Sequence, residues 1–313
     1  MSLMYSTRKV IGSFVPAQAK RHIGSVPIYF DFAKYTLPNP VRPSIPISER
    51  ARSWLDELRQ NGIVKIESDE LRGAADRLDD YLTLIKNSPS GSLDGNQLGD
   101  SRLFARSANS ELHKSFGIDV ACWISFKDEK LKPLLRDPEI TSMLYNYYRR
   151  QPYYRNQPRL QHITLTPGQK IVTGNEFHVD RFHQVSAMIL VSDVNETDTH
   201  MNYLIKSHRR SLLRTGIEMP VAECERWVEE KRYPMYNLTG KKGTLYVYDT
   251  SGIHSRNLIA GTSRKCLIWT VTTGHHLDTF TETTDSWPEL RTDPEVVQHM
   301  FDKMDWSMRS KRI

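Results

Sequence analysis

The sequence changes texture after Gln157, and that change bounds the fold. Beyond it, short apolar–polar alternations are separated by turn residues. Gln161, Ile163 and Leu165 alternate with His162 and Thr164, and Val185, Ala187, Ile189 and Val191 line one side of a second run. Further runs cover 245–248 and 266–271. Side chains that repeat with period two belong to strands with one buried face. Several such strands in succession, joined by turns, predict an antiparallel sandwich or barrel.

The chain before Gln157 follows a helical period instead. Ser48 reads as an N-cap, Ala51, Trp54, Leu55 and Leu58 follow at helical spacing, and Asn61-Gly62 is a stop signal. Residues 63–66 read as a short strand. A second helix carries Leu71, Ala74, Leu78, Leu82 and Ile85 on one face. The stretch 88–101, rich in Gly, Ser, Asp and Asn, is expected to be a loop. Asp137-Pro138 predicts the start of a third helix, a cap followed by proline in the first turn, presenting Ile140, Met143, Leu144 and Tyr147. A closing helix is expected from Pro294. Residues 1–47 contain several prolines and no period, so they read as an arm, and 48–313 as one domain: mainly β with flanking α-helices.

Composition excludes several classes. Three cysteines, Cys122, Cys224 and Cys266, are an odd number with no CxxC spacing. A disulfide framework and a cysteine zinc site are therefore not expected, and a reducing, cytoplasmic location is the default. No apolar run is long enough to span a bilayer, so no transmembrane segment is expected. The net charge is +6, and Arg8, Lys9, Lys20 and Arg21 precede the first acid, Asp31. That basic arm reads as a solvated tail. Basic, Ser-containing and acid-free, it fits a mitochondrial-type leader as well.

Two imidazoles and one carboxylate on one face of a metal, with the other face open, make the site used by non-haem iron oxygenases. His178-Val179-Asp180 offers one of each at i and i+2, which in extended chain point to the same side. With 11 His and 37 acids in 313 residues, roughly one such tripeptide is expected by chance. The chain holds two, so context decides. His276-Leu277-Asp278, with His299 and Arg309 downstream, sits among helical-period residues and Trp287-Pro288 and Asp293-Pro294, which do not build a sheet return. The first set precedes the alternating run from Val185. Its third member, His254, follows the apolar run 243–248, and Arg264 opens the next one, sharing a face with Cys266, Ile268 and Thr270. A buried guanidinium there needs a partner, and a carboxylate gripped by two parallel hydrogen bonds supplies one.

The segment Ser251-Gly252-Ile253-His254-Ser255-Arg256-Asn257, followed by Arg264, resembles the distal-histidine region of the phytanoyl-CoA dioxygenase family. Ser207-His208-Arg209 is similar to that family's Gly-Ser-His-Arg turn, with Lys206 in place of glycine, and Gly62-Ile63-Val64-Lys65-Ile66 is similar to its helix-to-strand entry. The resemblance spans about 48–275. It implies a double-stranded β-helix (jelly roll), Fe(II) held by His178, Asp180 and His254, 2-oxoglutarate as co-substrate held by Arg264, and O2 as oxidant. It further implies hydroxylation and not halogenation, because Asp180 fills the place a halide would take.

Other residues carry weaker expectations. His162 and Thr164 share a strand face that could meet the co-substrate. His183 lies close enough to the first motif to touch substrate. Arg149, Arg150 and Arg155 are interleaved with Tyr145, Tyr147, Tyr148, Tyr153 and Tyr154 just before the first expected strand. As a cap over the site they would recognise an anionic small-molecule substrate. Nucleic acid is not expected, because no stripe of positive charge continues elsewhere. The alternative readings are a cupin-like metal-dependent isomerase and a non-catalytic binding protein.

Overall fold

The computed structural model describes residues 44–87, 131–135, 137–149, 158–168, 176–180, 184–209 and 221–272, and the backbone of 103–107, 118–124 and 153–154. Residues 1–43 of the expected arm, the loop at 88–101, the His276 set and the closing helix lie outside the described residues.

Helix α1 (Glu49–Asn61) starts as its sequence dictates: the Ser48 hydroxyl accepts from the Ala51 amide at 3.0 Å. It buries Ala51, Leu55 and Leu58, with Trp54 half-buried beside them. It ends at Gly62, in the left-handed region at φ 80°. A Cβ there would collide with the Tyr203 hydroxyl and the His208 ring, so only glycine fits. Strand β1 (Ile63–Ile66) and helix α2 (Asp69–Asn87) follow, and α2 buries the five expected positions together with Ala75 and Tyr81. After the short helix α3 (Lys132–Leu135), helix α4 (Pro138–Tyr148) begins where Asp137 accepts from the Glu139 and Ile140 amides at 2.8 and 2.9 Å.

The strands are β2 (Leu103–Ser107), β3 (Ile118–Ile124), β4 (Tyr153–Tyr154), β5 (Arg159–Thr164), β6 (Gln184–Leu190), β7 (His200–Leu204), β8 (Met235–Asn237), β9 (Leu245–Asp249), β10 (His254–Asn257) and β11 (Ser263–Thr272). Helix α5 (Val221–Glu229) lies between β7 and β8. All pairings are antiparallel. The large sheet runs β1-β9-β6-β11-β5-β3-β2, with β4 on β11, and the small sheet runs β10-β7-β8.

Register assigns the faces of the large sheet. Val64, Ile66, Val185, Ala187, Ile189, Leu245, Val247, Leu267, Trp269 and Val271 pack with the helices in one core. The alternate residues Ile63, Ile163, Met188, Leu190, Tyr246, Tyr248 and Cys266 pack against Met201 and Tyr203 of β7 in a second core between the sheets. Both faces are therefore covered, and every residue of β6 and β9 is buried. Helices on one side and the small sheet on the other exclude water from both faces.

Candidate metal centre

His178 and His254 meet as an isolated antiparallel bridge, each amide donating to the other's carbonyl at 2.9 Å. Two residues on, the Asp180 amide donates to Thr250 O at 2.9 Å. These backbone bonds join chain 70 to 76 residues apart in sequence and bring the side chains of His178, Asp180 and His254 to one place. One ligand atom from each lies within 4.8 Å of the other two, and the two imidazole centroids are 4.3 Å apart.

Both histidines are held in one tautomer. His178 Nδ1 lies 2.9 Å from Glu176 O, and His254 Nδ1 lies 2.9 Å from Gly252 O. A carbonyl only accepts, so each Nδ1 carries the proton and each Nε2 keeps its lone pair for a metal. Gln184 Nε2 donates to Asp180 Oδ2 at 2.6 Å, which fixes that carboxylate oxygen. The neighbours of the ligands point the other way, as alternation requires. Phe177, Val179 and Ile253 pack with Leu204 and with Cys224 and Trp227 of α5, forming an apolar backing to the site.

The turn before His254 is fixed from four sides. Asp249 Oδ1 accepts from the Ser251 amide at 2.8 Å and from its hydroxyl at 2.6 Å, while Oδ2 accepts from the Tyr147 hydroxyl at 2.5 Å. The Tyr203 hydroxyl donates to Asp249 O at 2.9 Å. Ser207, the first residue of the Ser-His-Arg turn, accepts from the Ile253 amide at 2.7 Å. Asp249 thus serves as a turn cap that ties the ligand loop to α4.

Arg264 is 2% exposed, and its Nε and Nη1 have no hydrogen-bond partner among the described residues. Its face of the large sheet follows from register: Arg264, Cys266, Ile268 and Thr270 on β11 stand beside Leu190, Met188 and Ser186 on β6. Tyr248 of β9 pairs with Ser186 of β6 on the same face. Its ring contacts that of His254 at 5.9 Å. Burial, then the nearby Asp180 carboxylate, pushes the Tyr248 hydroxyl well above its ordinary pKa, against the opposing pull of Arg264. The phenol is therefore neutral at any working pH. A buried cation with two idle donors is costly, and an oxyanion held by both is the chemistry that relieves it.

Not every residue singled out by sequence reaches this place. Ile163, not His162 or Thr164, pairs with Arg264. Because strand side chains alternate, His162 and Thr164 point to the helix side of the sheet, and the site-facing residues of β5 are Arg159, Gln161 and Ile163. His162 and Thr164 thus stand on the opposite face of β5 from the residue that pairs with Arg264. Arg149 is exposed at the C-cap of α4, at φ 56°, on a helix that packs on the helical side of the sheet. Tyr147 bonds Asp249, and Tyr148 donates to Val271 O at 3.0 Å; both are structural. Arg150, Arg155 and His183 lie outside the described residues. Sequence reasoning missed Gln184, the Ser186–Thr270 hydroxyl pair at 3.1 Å and the α5 backing. The signal for Gln184 was its place at the head of the Val185 run, four residues after Asp180. No helix among the described residues is long and apolar enough to cross a membrane.

No family model matches the chain, and no curated protein matches it. Among solved structures it is similar to the non-heme alpha-ketoglutarate-dependent epimerase SnoN from nogalamycin biosynthesis, with 13% identity over 78% of this chain and 92% of that one and a TM-score of 0.47. A second is EctD from S. alaskensis with 2-oxoglutarate and 5-hydroxyectoine, at 16% identity, 75% and 82% coverage and a TM-score of 0.46. A third is the carbocyclase SnoK, at 14% identity, 72% and 83% coverage and a TM-score of 0.44.

Proposed function

We propose that the protein is an Fe(II)- and 2-oxoglutarate-dependent oxygenase that hydroxylates a C–H bond of a small molecule, and that its two facing sheets form a double-stranded β-helix. The observation that carries this reading is the pairing of two features in one interior: a two-histidine, one-carboxylate set with both Nε2 atoms presented, and a buried arginine with two idle donors. The donor set suits ferrous iron. The arginine suits the far carboxylate of a dicarboxylate whose near end reaches the metal.

Iron, 2-oxoglutarate and O2 together supply the oxidation: one oxygen atom enters succinate as CO2 leaves, and the other enters the substrate as hydroxyl. The protein's own residues do simpler work. His178 and His254 offer lone pairs in one tautomer, Asp180 offers the charge, and Gln184 holds one of its oxygens. Arg264 sets the co-substrate's direction, and Tyr248 and Met188 exclude water beside it. Asp180 also fills the position a halide would need, which favours hydroxylation. No side chain of the site is needed as an acid or base.

The test is turnover. Purified protein with Fe(II) and 2-oxoglutarate should form succinate and consume O2. His178→Ala, Asp180→Ala and His254→Ala should each lower that rate by more than about a hundredfold, the upper range for loss of a metal-site group. Wild-type succinate formation that is independent of iron, or retained in all three variants, would remove this assignment.

A further inference from the structure

Resting on the reading of His178, Asp180 and His254 as metal ligands, we infer that Tyr147 is a positioning residue of that centre. Its hydroxyl, acting through Asp249, holds the turn to which all three ligands are tied.

That turn, residues 250–253, joins β9 to β10 and is bonded to both ligand segments. On one side the Gly252 amide donates to Asp249 O at 3.0 Å, and Gly252 O in turn holds His254 Nδ1 at 2.9 Å. On the other side Thr250 O accepts from the Asp180 amide at 2.9 Å. The Thr250 amide and hydroxyl donate to Gln184 O at 2.9 and 3.1 Å, and the Gln184 side chain holds Asp180 Oδ2. His178 is included because its backbone pairs with that of His254. A shift of this one turn therefore moves the three ligand side chains relative to one another.

Asp249 sets the turn, and Tyr147 sets Asp249. The carboxylate is 2% exposed. Oδ1 accepts from the Ser251 amide and hydroxyl, and Oδ2 from the Tyr147 hydroxyl at 2.5 Å. A hydrogen bond to a charged acceptor is short and directional, so the phenol fixes the plane in which Oδ1 meets Ser251. Burial first, and then the Asp249 carboxylate, push the Tyr147 hydroxyl far above its ordinary pKa, so it stays a donor. The phenol is itself held in place by its helix. The neighbouring Asn146 side chain accepts from the Ile45 amide at 3.1 Å and donates to Ile45 O at 3.2 Å. Asn146 O accepts from Arg59 of α1 at 2.8 Å, and the Tyr148 ring meets that of Tyr147 edge-on at 5.5 Å. The geometry of the metal centre thus depends on a helix that contributes no ligand, which is how outer partners of metal ligands act.

Tyr148 supplies the control. Its hydroxyl donates to Val271 O at 3.0 Å, away from the turn, so Tyr148→Phe removes a bond from the same helix without touching Asp249. The experiment is anaerobic titration of Fe(II), and of Co(II) as a coloured probe, into the metal-free chain. Wild type, Tyr147→Phe and Tyr148→Phe are compared, with the Co(II) absorption spectrum and Tm recorded for each. Tyr147→Phe should weaken metal affinity by about tenfold or more and shift the Co(II) bands. Tyr148→Phe should keep wild-type affinity and bands despite a comparable fall in Tm. In an Asp249→Asn background the effect of Tyr147→Phe should shrink, because the phenol acts through the carboxylate. Wild-type affinity and spectrum in Tyr147→Phe, equal losses in both tyrosine variants, or an undiminished effect on Asp249→Asn each overturn the inference. Wild-type protein that takes up no metal would overturn it together with the oxygenase reading. Metal uptake without 2-oxoglutarate-dependent succinate formation would overturn the oxygenase reading alone.

Discussion

Single residues in this protein do their work through what their backbone neighbours permit. Gly252 is the sharpest case. Its carbonyl holds the His254 tautomer, and a Cβ at this position would fall inside the Tyr203 hydroxyl, on a side chain that is fully buried. Gly252→Ala should cost about 1–3 kcal/mol of stability, the range for overpacking in a closed core, and should weaken iron binding, since the displaced turn carries a ligand. Tyr203→Phe removes the nearest of the colliding atoms and leaves the ring carbon Cζ. The double variant should therefore recover part of both losses, and a double-mutant cycle by chemical denaturation and iron titration measures the recovery. Strict additivity of the two substitutions would show that the contact does not set the turn. Lys206 is a counterpart on the neighbouring turn: it stands at φ 69°, where glycine is favoured, yet its amide still donates to Asn61 O at 2.8 Å. The Ser-His-Arg turn forms without the glycine because Ser207 and Arg209 anchor it, the latter at 3.1 Å from Nε to Arg59 O.

At the scale of elements, helix α2 is pinned to the large sheet by charge as well as by its apolar face. Asp79 accepts from Lys265 of β11 at 2.6 Å and from Lys242 at 3.2 Å. Burial alone would raise the Asp79 pKa, but the two lysines outweigh it and hold it below the ordinary carboxylate value. A carboxylate with a lowered folded pKa contributes stability above its unfolded pKa and loses it as pH falls through the folded one. Denaturation midpoints should thus drop as pH falls from about 4, and Asp79→Asn should flatten that slope. Because the pair is near the surface, the effect at neutral pH is about 1 kcal/mol or less. An unchanged slope in Asp79→Asn would assign the acid sensitivity elsewhere. The elements also show what a sequence can disclose. α1, α2 and α4 were legible because caps and apolar period agree, and β5, β6, β9 and β11 because their apolar residues alternate. Strand β10 was not: His-Ser-Arg-Asn holds no apolar residue, and only pairing with β7 makes it a strand. Which face of β5 meets the site was likewise illegible, since both faces are buried and the choice depends on the β11 register. That is why the side taken by His162 and Thr164 could not be read from their alternation alone. The proximity of His178 and Asp180 was readable because of their i, i+2 spacing; His254, the third member of the group, needed its strand context.

For the molecule as a whole, the two cores divide the labour. The helical side of the large sheet is continuous apolar packing, and it supplies the rigid wall on which the second core and its polar groups are mounted. The molecule thus holds a His178–Asp180–His254 group able to bind a metal ion and a buried Arg264. The central claim is that these two act on one co-substrate molecule. The measurement that tests it most directly is calorimetric titration of 2-oxoglutarate into anaerobic, Fe(II)-loaded wild type and Arg264→Ala, with iron content determined on the same samples. Loss of a buried charged partner is worth about 2–5 kcal/mol, so affinity should fall by well over tenfold while each variant still carries one iron per chain. Equal 2-oxoglutarate affinity in the two proteins, at equal iron content, would contradict the account.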